Sequence, residues 1–352
     1  MTSIFQHIKS LNILLPLIAI CGGLSACQKP IPEEIHTEIA NQTSTQTAAP
    51  DLNQICQNLK NDMLSISAQR TTFALEQINQ DIRLCLPLMK FKEQQQMIHS
   101  ADIMYANFLK IDRTAAQQKA FDTYAHDQSQ FPTIQQSQLE KLHIRDQYLL
   151  RHKNQAYIDL VDFNHQTRYQ RNPYYLAKVF APSFPEAEKV FMQELAEQNQ
   201  LARFEDEHFE LAAQEISRRA QFWESYLKEY PNTNYLADAQ YLYNFYTNLL
   251  FKGLRNNPIS QDYDGRVEIK SEALDEIERL TNIKNSRLAD QARLFMKFIN
   301  MDAQQKNSLI PVTASTNEFD QIRVQAQLNK YLNLKSVDLK QPRNCFQDAI
   351  CH

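Results

Sequence analysis

Two Glu-x-x-His spacings, Glu140…His143 and Glu205…His208, are the residues of this sequence whose types and spacing come nearest to chemistry. A carboxylate and an imidazole at i and i+3 share one helix face, and two such helices supply ligands in di-iron carboxylate bundles. That centre needs two more facing glutamates, which the sequence does not single out. A third copy, Glu33…His36, falls in a polar low-complexity stretch, so the spacing arises without a site. The pairs read as surface polar residues first and weak metal-ligand candidates second. No G-x-S-x-G, P-loop, H-E-x-x-H or C-x-x-C occurs, so no catalytic residue and no cofactor is expected. Two charged runs remain. Glu205-Asp206-Glu207-His208-Phe209-Glu210 fits the acidic first turn of a helix. Arg168-Tyr169-Gln170-Arg171 has the charge and ring to meet an anionic glycan or lipid head group, and reads first as a solvated loop.

The elements that would position such residues begin with an address. Residues 1–10 are polar and carry one base, Lys9; an apolar run follows from Leu11 to Cys21, then Gly22-Gly23. This is the layout of a secretory signal, and the run is about half the roughly 20 residues a membrane span needs. Leu24-Ser25-Ala26-Cys27 then resembles the lipobox of bacterial lipoproteins. The resemblance covers 27 residues. It implies removal of residues 1–26, acylation of Cys27 at sulfur and at the new amino terminus with palmitate-class chains, and a membrane anchor. Gln28 stands where an Asp would retain the protein in the inner membrane, which implies the outer membrane, facing the periplasm.

Four cysteines remain beyond Cys27: Cys56, Cys85, Cys345 and Cys351. An even number in an oxidising compartment reads as disulfides, with three pairings open. Cys56–Cys85 would staple neighbouring helices, and Cys345–Cys351 would close a small loop. Cys345, Cys351 and His352 as metal ligands lack a fourth partner nearby. Without residues 1–26, 36 bases face 41 acids, a net charge of −5. Such a balance makes no field for phosphates, so no nucleic-acid partner is expected.

Gln28 to Pro50 is Thr, Gln, Ala, Pro and Glu with almost no large apolar residue, and residues 27–50 read as a lipidated, disordered tether. Beyond it only Gly253 and Gly265 occur, too few for the turns of sheets and phosphate loops. The predicted fold is all-α, an array of antiparallel helix hairpins of ten to twelve helices. Ile216, Ala220, Trp223 and Leu227 draw one stripe; Tyr235, Ala239, Leu242, Tyr246 and Leu249 draw another after Pro231. Leu236-Ala237-Asp238-Ala239-Gln240 and Leu288-Ala289-Asp290-Gln291-Ala292 each open a second helix after a polar turn. The first unit, Tyr226 to Tyr241, resembles tetratricopeptide-like repeats of periplasmic lipoproteins, with Gly253 to Arg266 as a polar insertion. The resemblance covers residues 205–300 and implies stacked units sharing a core. An N-terminal helical region is placed at 51–200, a repeat-like region at 201–334, and a C-terminal tail at 335–352.

Seven aromatics between Tyr226 and Tyr246 exceed what one helix face buries, so Tyr241 and Phe245 are candidates for a concave partner-binding surface. The function expected is a membrane-anchored scaffold for a protein or envelope component. The alternative is a helical envelope enzyme, a hydrolase or metal-dependent.

Overall fold

Scarce glycine and the three-and-four spacing of apolar residues produce helices almost throughout. The computed structural model describes residues 51–130, 136–163, 166–201, 211–309, 320–337 and 344–352. It is 68% helix and 5% strand, an all-α fold built of helix hairpins. The N-terminal part runs α1 (Leu52–Leu64), α2 (Thr72–Cys85), α3 (Phe91–Phe108), α4 (Ala115–Gln130), α5 (Gln136–Leu139) and α6 (Ile144–Arg151). A hairpin of β1 (Ile158–Phe163) and β2 (Gln166–Arg171) follows, then α7 (Tyr174–Val179) and α8 (Glu186–Leu201). The remainder is α9 (Ala213–Glu229), α10 (Leu236–Lys252), a two-residue hairpin of β3 (Gly253–Leu254) and β4 (Asn257–Pro258), α11 (Ser271–Thr281), α12 (Arg287–Ile299), α13 (Ala303–Leu309) and α14 (Asp320–Tyr331).

Caps fix where the helices start. The Asp51 side chain accepts from the Asn53 N–H, and Thr71 Oγ1 accepts from the Ala74 N–H. Both repeated pentapeptides do open second helices: α10 begins at Leu236 and α12 at Arg287. Ala239, Ala289 and Ala292 are buried on their inner faces. Each turn before a second helix is held by a carboxylate from an earlier helix. Glu188 on α8 accepts from the Asn234 N–H at 2.8 Å and from Thr233 Oγ1 at 3.2 Å. Glu224 on α9 accepts from Ser286 Oγ at 2.6 Å and from the Arg287 N–H. A buried carboxylate so satisfied joins one hairpin to the next.

The insertion after α10 is not a polar excursion. Ile259, Tyr263 and Ile269 enter the core, and Lys306 donates to the Tyr263 carbonyl at 2.9 Å. Gly253 makes the turn possible: its φ is +73°, and a Cβ there would lie 2.6 Å from the Asn257 carbonyl oxygen.

Two apolar cores meet at α8. Phe191 and Leu195 pack with Trp223, Tyr246 and Phe295, while Met192 and Ala196 pack with Leu75, Phe108 and Tyr175. The C-terminal segment joins the same two cores, with Cys345 and Phe346 in the first and Ala349 and Ile350 in the second. Residues 344–352 are therefore a packed clasp rather than a tail.

Candidate functional site

The four cysteines pair as Cys56–Cys85 and Cys345–Cys351, so α1 is stapled to α2 and the clasp closes a ring over residues 345–351. Cys27, Glu205 and His208 lie outside the described residues. Glu140 and His143 do not share a helix face. Glu140 is exposed in the turn after α5, and His143 is the N-cap of α6, its Nδ1 accepting from the Arg145 N–H at 3.1 Å. The chain breaks between two helices within the spacing itself, which removes the geometry a ligand pair needs.

Phe245 is also corrected. It is 1% exposed, its ring 4.6 Å from that of Phe346, and Tyr241 is half-buried against the same ring at 6.4 Å. The aromatic excess on α10 is covered by the clasp, a segment a hundred residues downstream. Within the pair α9–α10, Trp223 is fully buried, and its indole N–H donates to Gln198 Oε1 at 3.2 Å.

What the two hairpins leave open is a groove of about 490 Å³ where α10 ends and α11 begins. Ile216, Leu250 and Ile259 form apolar walls; Lys270, Ser271 and Glu272, at the start of α11, form a polar rim. Mixed walls with a few polar groups at the edge suit a ligand or a partner side chain. The turn fixed by Gly253 shapes this groove, since Gly253 and Leu254 line it.

A second hollow, of about 440 Å³, opens between α3, β2 and the clasp. Arg171, on β2, points inward rather than to solvent, with its side chain 9% exposed. It pairs with Asp102 at 2.7 Å and with Asp348, and lies over the rings of Tyr105 and Tyr175. His352 Nε2 is 3.3 Å from Asp348. Burial disfavours the guanidinium charge, but Asp348 and Asp102 outweigh it and hold Arg171 above its ordinary value. Burial likewise pushes the Asp348 carboxyl up, and Arg171, His352 and the Ala349 N–H bring it below the usual range. The hydrogen bond to Asp348 raises His352 despite partial burial.

Asp102, Asp348 and His352 hold ligand atoms within 4.8 Å of one another. The Arg171 guanidinium already bonds both carboxylates, so this cluster works as an internal ion-pair network that ties the clasp to β2. Sequence reading missed it because Asp102, Arg171 and Asp348 are separated by dozens to hundreds of residues, and only Asp348 and His352 are close in sequence. The Arg168–Arg171 run is the one local sign, and it lies in β2 rather than in a solvated loop. The strand-favouring Ile158 and Val161 of β1, paired in register with Arg171 and Arg168, are the signal of a hairpin.

No known protein family matches the chain, and neither curated proteins nor solved structures include a similar one.

Proposed function

We propose that this protein is an outer-membrane lipoprotein, anchored through Cys27, whose helical array binds a protein or another component of the cell envelope without catalysing a reaction. One observation carries the reading. Every cysteine beyond Cys27 is paired in a disulfide inside the fold, which suits an oxidising compartment and, with residues 1–26 and their Cys21 removed, would leave Cys27 as the thiol that carries the acyl chain. The lipobox supplies the address, and the Gln28 to Pro50 stretch supplies reach.

The groove at the start of α11 supports the binding half of the proposal, because it is concave, mixed in polarity and built on rigid hairpins. The anchor would raise the local concentration of partners in the same membrane, so modest surface complementarity suffices.

The test is in cells. A photocrosslinking residue at Glu272, on the groove rim, is expected to trap one dominant envelope component. The same residue at Phe73, an exposed position on α2, is expected not to trap it. Equal trapping at both positions, or at neither, would remove the groove from the proposal. Turnover of a cell-wall or lipid substrate by the purified protein alone would favour an enzyme instead.

A further inference from the structure

Phe245, Asn248, Leu249 and Lys252 recur at i, i+3, i+4 and i+7 and so share one face of α10. That face lines a narrow pocket of about 110 Å³, completed by Leu254, Arg255, Gln325 and Val337. The pocket is distinct from the groove, although both touch Leu249, Gly253 and Leu254. Among the described residues, no acidic one lines it.

Lys252 is half-buried here, and burial alone acts on its ammonium, pushing its pKa down. Among the described residues, neither a carboxylate nor another acceptor reaches it. Other buried cations among the described residues have acceptors, although Arg145 meets only the Arg70 and Phe108 carbonyls and no carboxylate. Arg171 meets Asp102 and Asp348, Arg219 meets Glu215, and Lys306 meets Asp264 and the Tyr263 carbonyl. A cation partly withdrawn from water loses solvation that an anion beside it restores. The negative end of the α10 dipole favours the charge without supplying an oxygen atom to bind it.

We propose that this pocket binds a small monocarboxylate with a short branched apolar chain, its carboxylate between Lys252 and Arg255 and its chain against Phe245, Leu249, Leu254 and Val337. Charge sets the first half of that chemistry. The half-buried ammonium of Lys252 has no counter-ion among the described residues, and one carboxylate supplies it, with the exposed Arg255 guanidinium at the rim. Size sets the second half. An apolar cavity of about 150 Å³ takes benzene, so about 110 Å³ admits an apolar group of four or five heavy atoms. Such a carboxylate is offered by a free branched acid or by the C-terminal leucine or valine of a peptide. The site stands whether or not Cys27 is acylated.

The test uses purified full-length protein and ligand-observed NMR with three probes: isovalerate, its neutral amide isovaleramide, and N-acetyl-Gly-Gly-Leu as the free acid. Isovalerate is expected to bind saturably, and isovaleramide at least tenfold more weakly. Lys252→Met, which keeps the aliphatic stem, is expected to weaken isovalerate at least tenfold, and Arg255→Gln to weaken it less. Tighter binding of the peptide acid than of isovalerate identifies a peptide terminus as the ligand, and the reverse identifies the free acid. If neither acid binds, or if acid and amide bind alike to the unaltered protein, the proposal fails. The acid–amide comparison needs no variant, so misfolding of Lys252→Met would not shelter it.

Discussion

Arg171 gathers two carboxylates and two aromatic rings around one guanidinium, and its removal strands the carboxylates rather than relieving them. Arg171→Met should therefore destabilise the fold by about 3–5 kcal/mol, the usual cost of breaking a buried pair from one side. Urea unfolding followed by the circular dichroism of the helices would measure it. The same cluster predicts opposite pH dependences for two neighbours. Asp348 is held below its unfolded value, so its contribution is present above about pH 4 and is lost as pH falls through its folded pKa. His352 is held above its unfolded value, so its contribution is full below about pH 6.5 and fades as pH rises through its folded pKa. Unfolding free energies of wild type and His352→Ala should accordingly converge at alkaline pH and separate at pH 5–6. A constant difference across that range would contradict the assignment. None of this network was legible in sequence, because Asp102, Arg171 and Asp348 meet only through tertiary packing. The Glu-x-x-His spacing at 140–143, by contrast, was legible and misleading, since periodicity cannot show that a helix ends inside it.

At the scale of elements, the sequence carried much more. The stripes through Ile216, Ala220 and Trp223 and through Ala239, Leu242 and Tyr246 are the buried faces of α9 and α10. The paired pentapeptides mark the starts of α10 and α12. The carboxylates of Glu188 and Glu224 that hold those starts were not legible, because each acts on a turn 45 to 63 residues away. The β1–β2 hairpin was missed because its alternation is short and ends in a charged run. The C-terminal ring explains the surplus aromatics: Phe245 looked free in sequence because Phe346, which covers it, is a distant neighbour. Two predictions belong here. Opening Cys56–Cys85, which spans 29 residues, with paired serine substitutions should cost about 3–4 kcal/mol in the chain-entropy model. Gly253→Ala should cost about 1–3 kcal/mol through its left-handed backbone, aggravated by contact with Asn257. Gly265→Ala, with φ +85° but open space around it, should cost less. Thermal unfolding of the two variants side by side ranks them, and equal midpoints would mean that the crowded turn relaxes freely.

For the molecule as a whole, the disulfide-closed fold, the acidic balance and the N-terminal address are parts of one proposal: a helical holder delivered through the membrane and kept at its surface. The fold contributes rigidity, with one staple between α1 and α2 and one ring clasping both cores. Cys27→Ala is expected to move the protein from the membrane fraction to the soluble one while leaving its helical content unchanged. Mass spectrometry of the N-terminal peptide, released from membrane-extracted protein, tests the central claim most directly. The expected peptide begins at Cys27 and carries acyl groups on its sulfur and amine; a peptide that retains residues before Cys27, or a Cys27 with a free thiol, would contradict it.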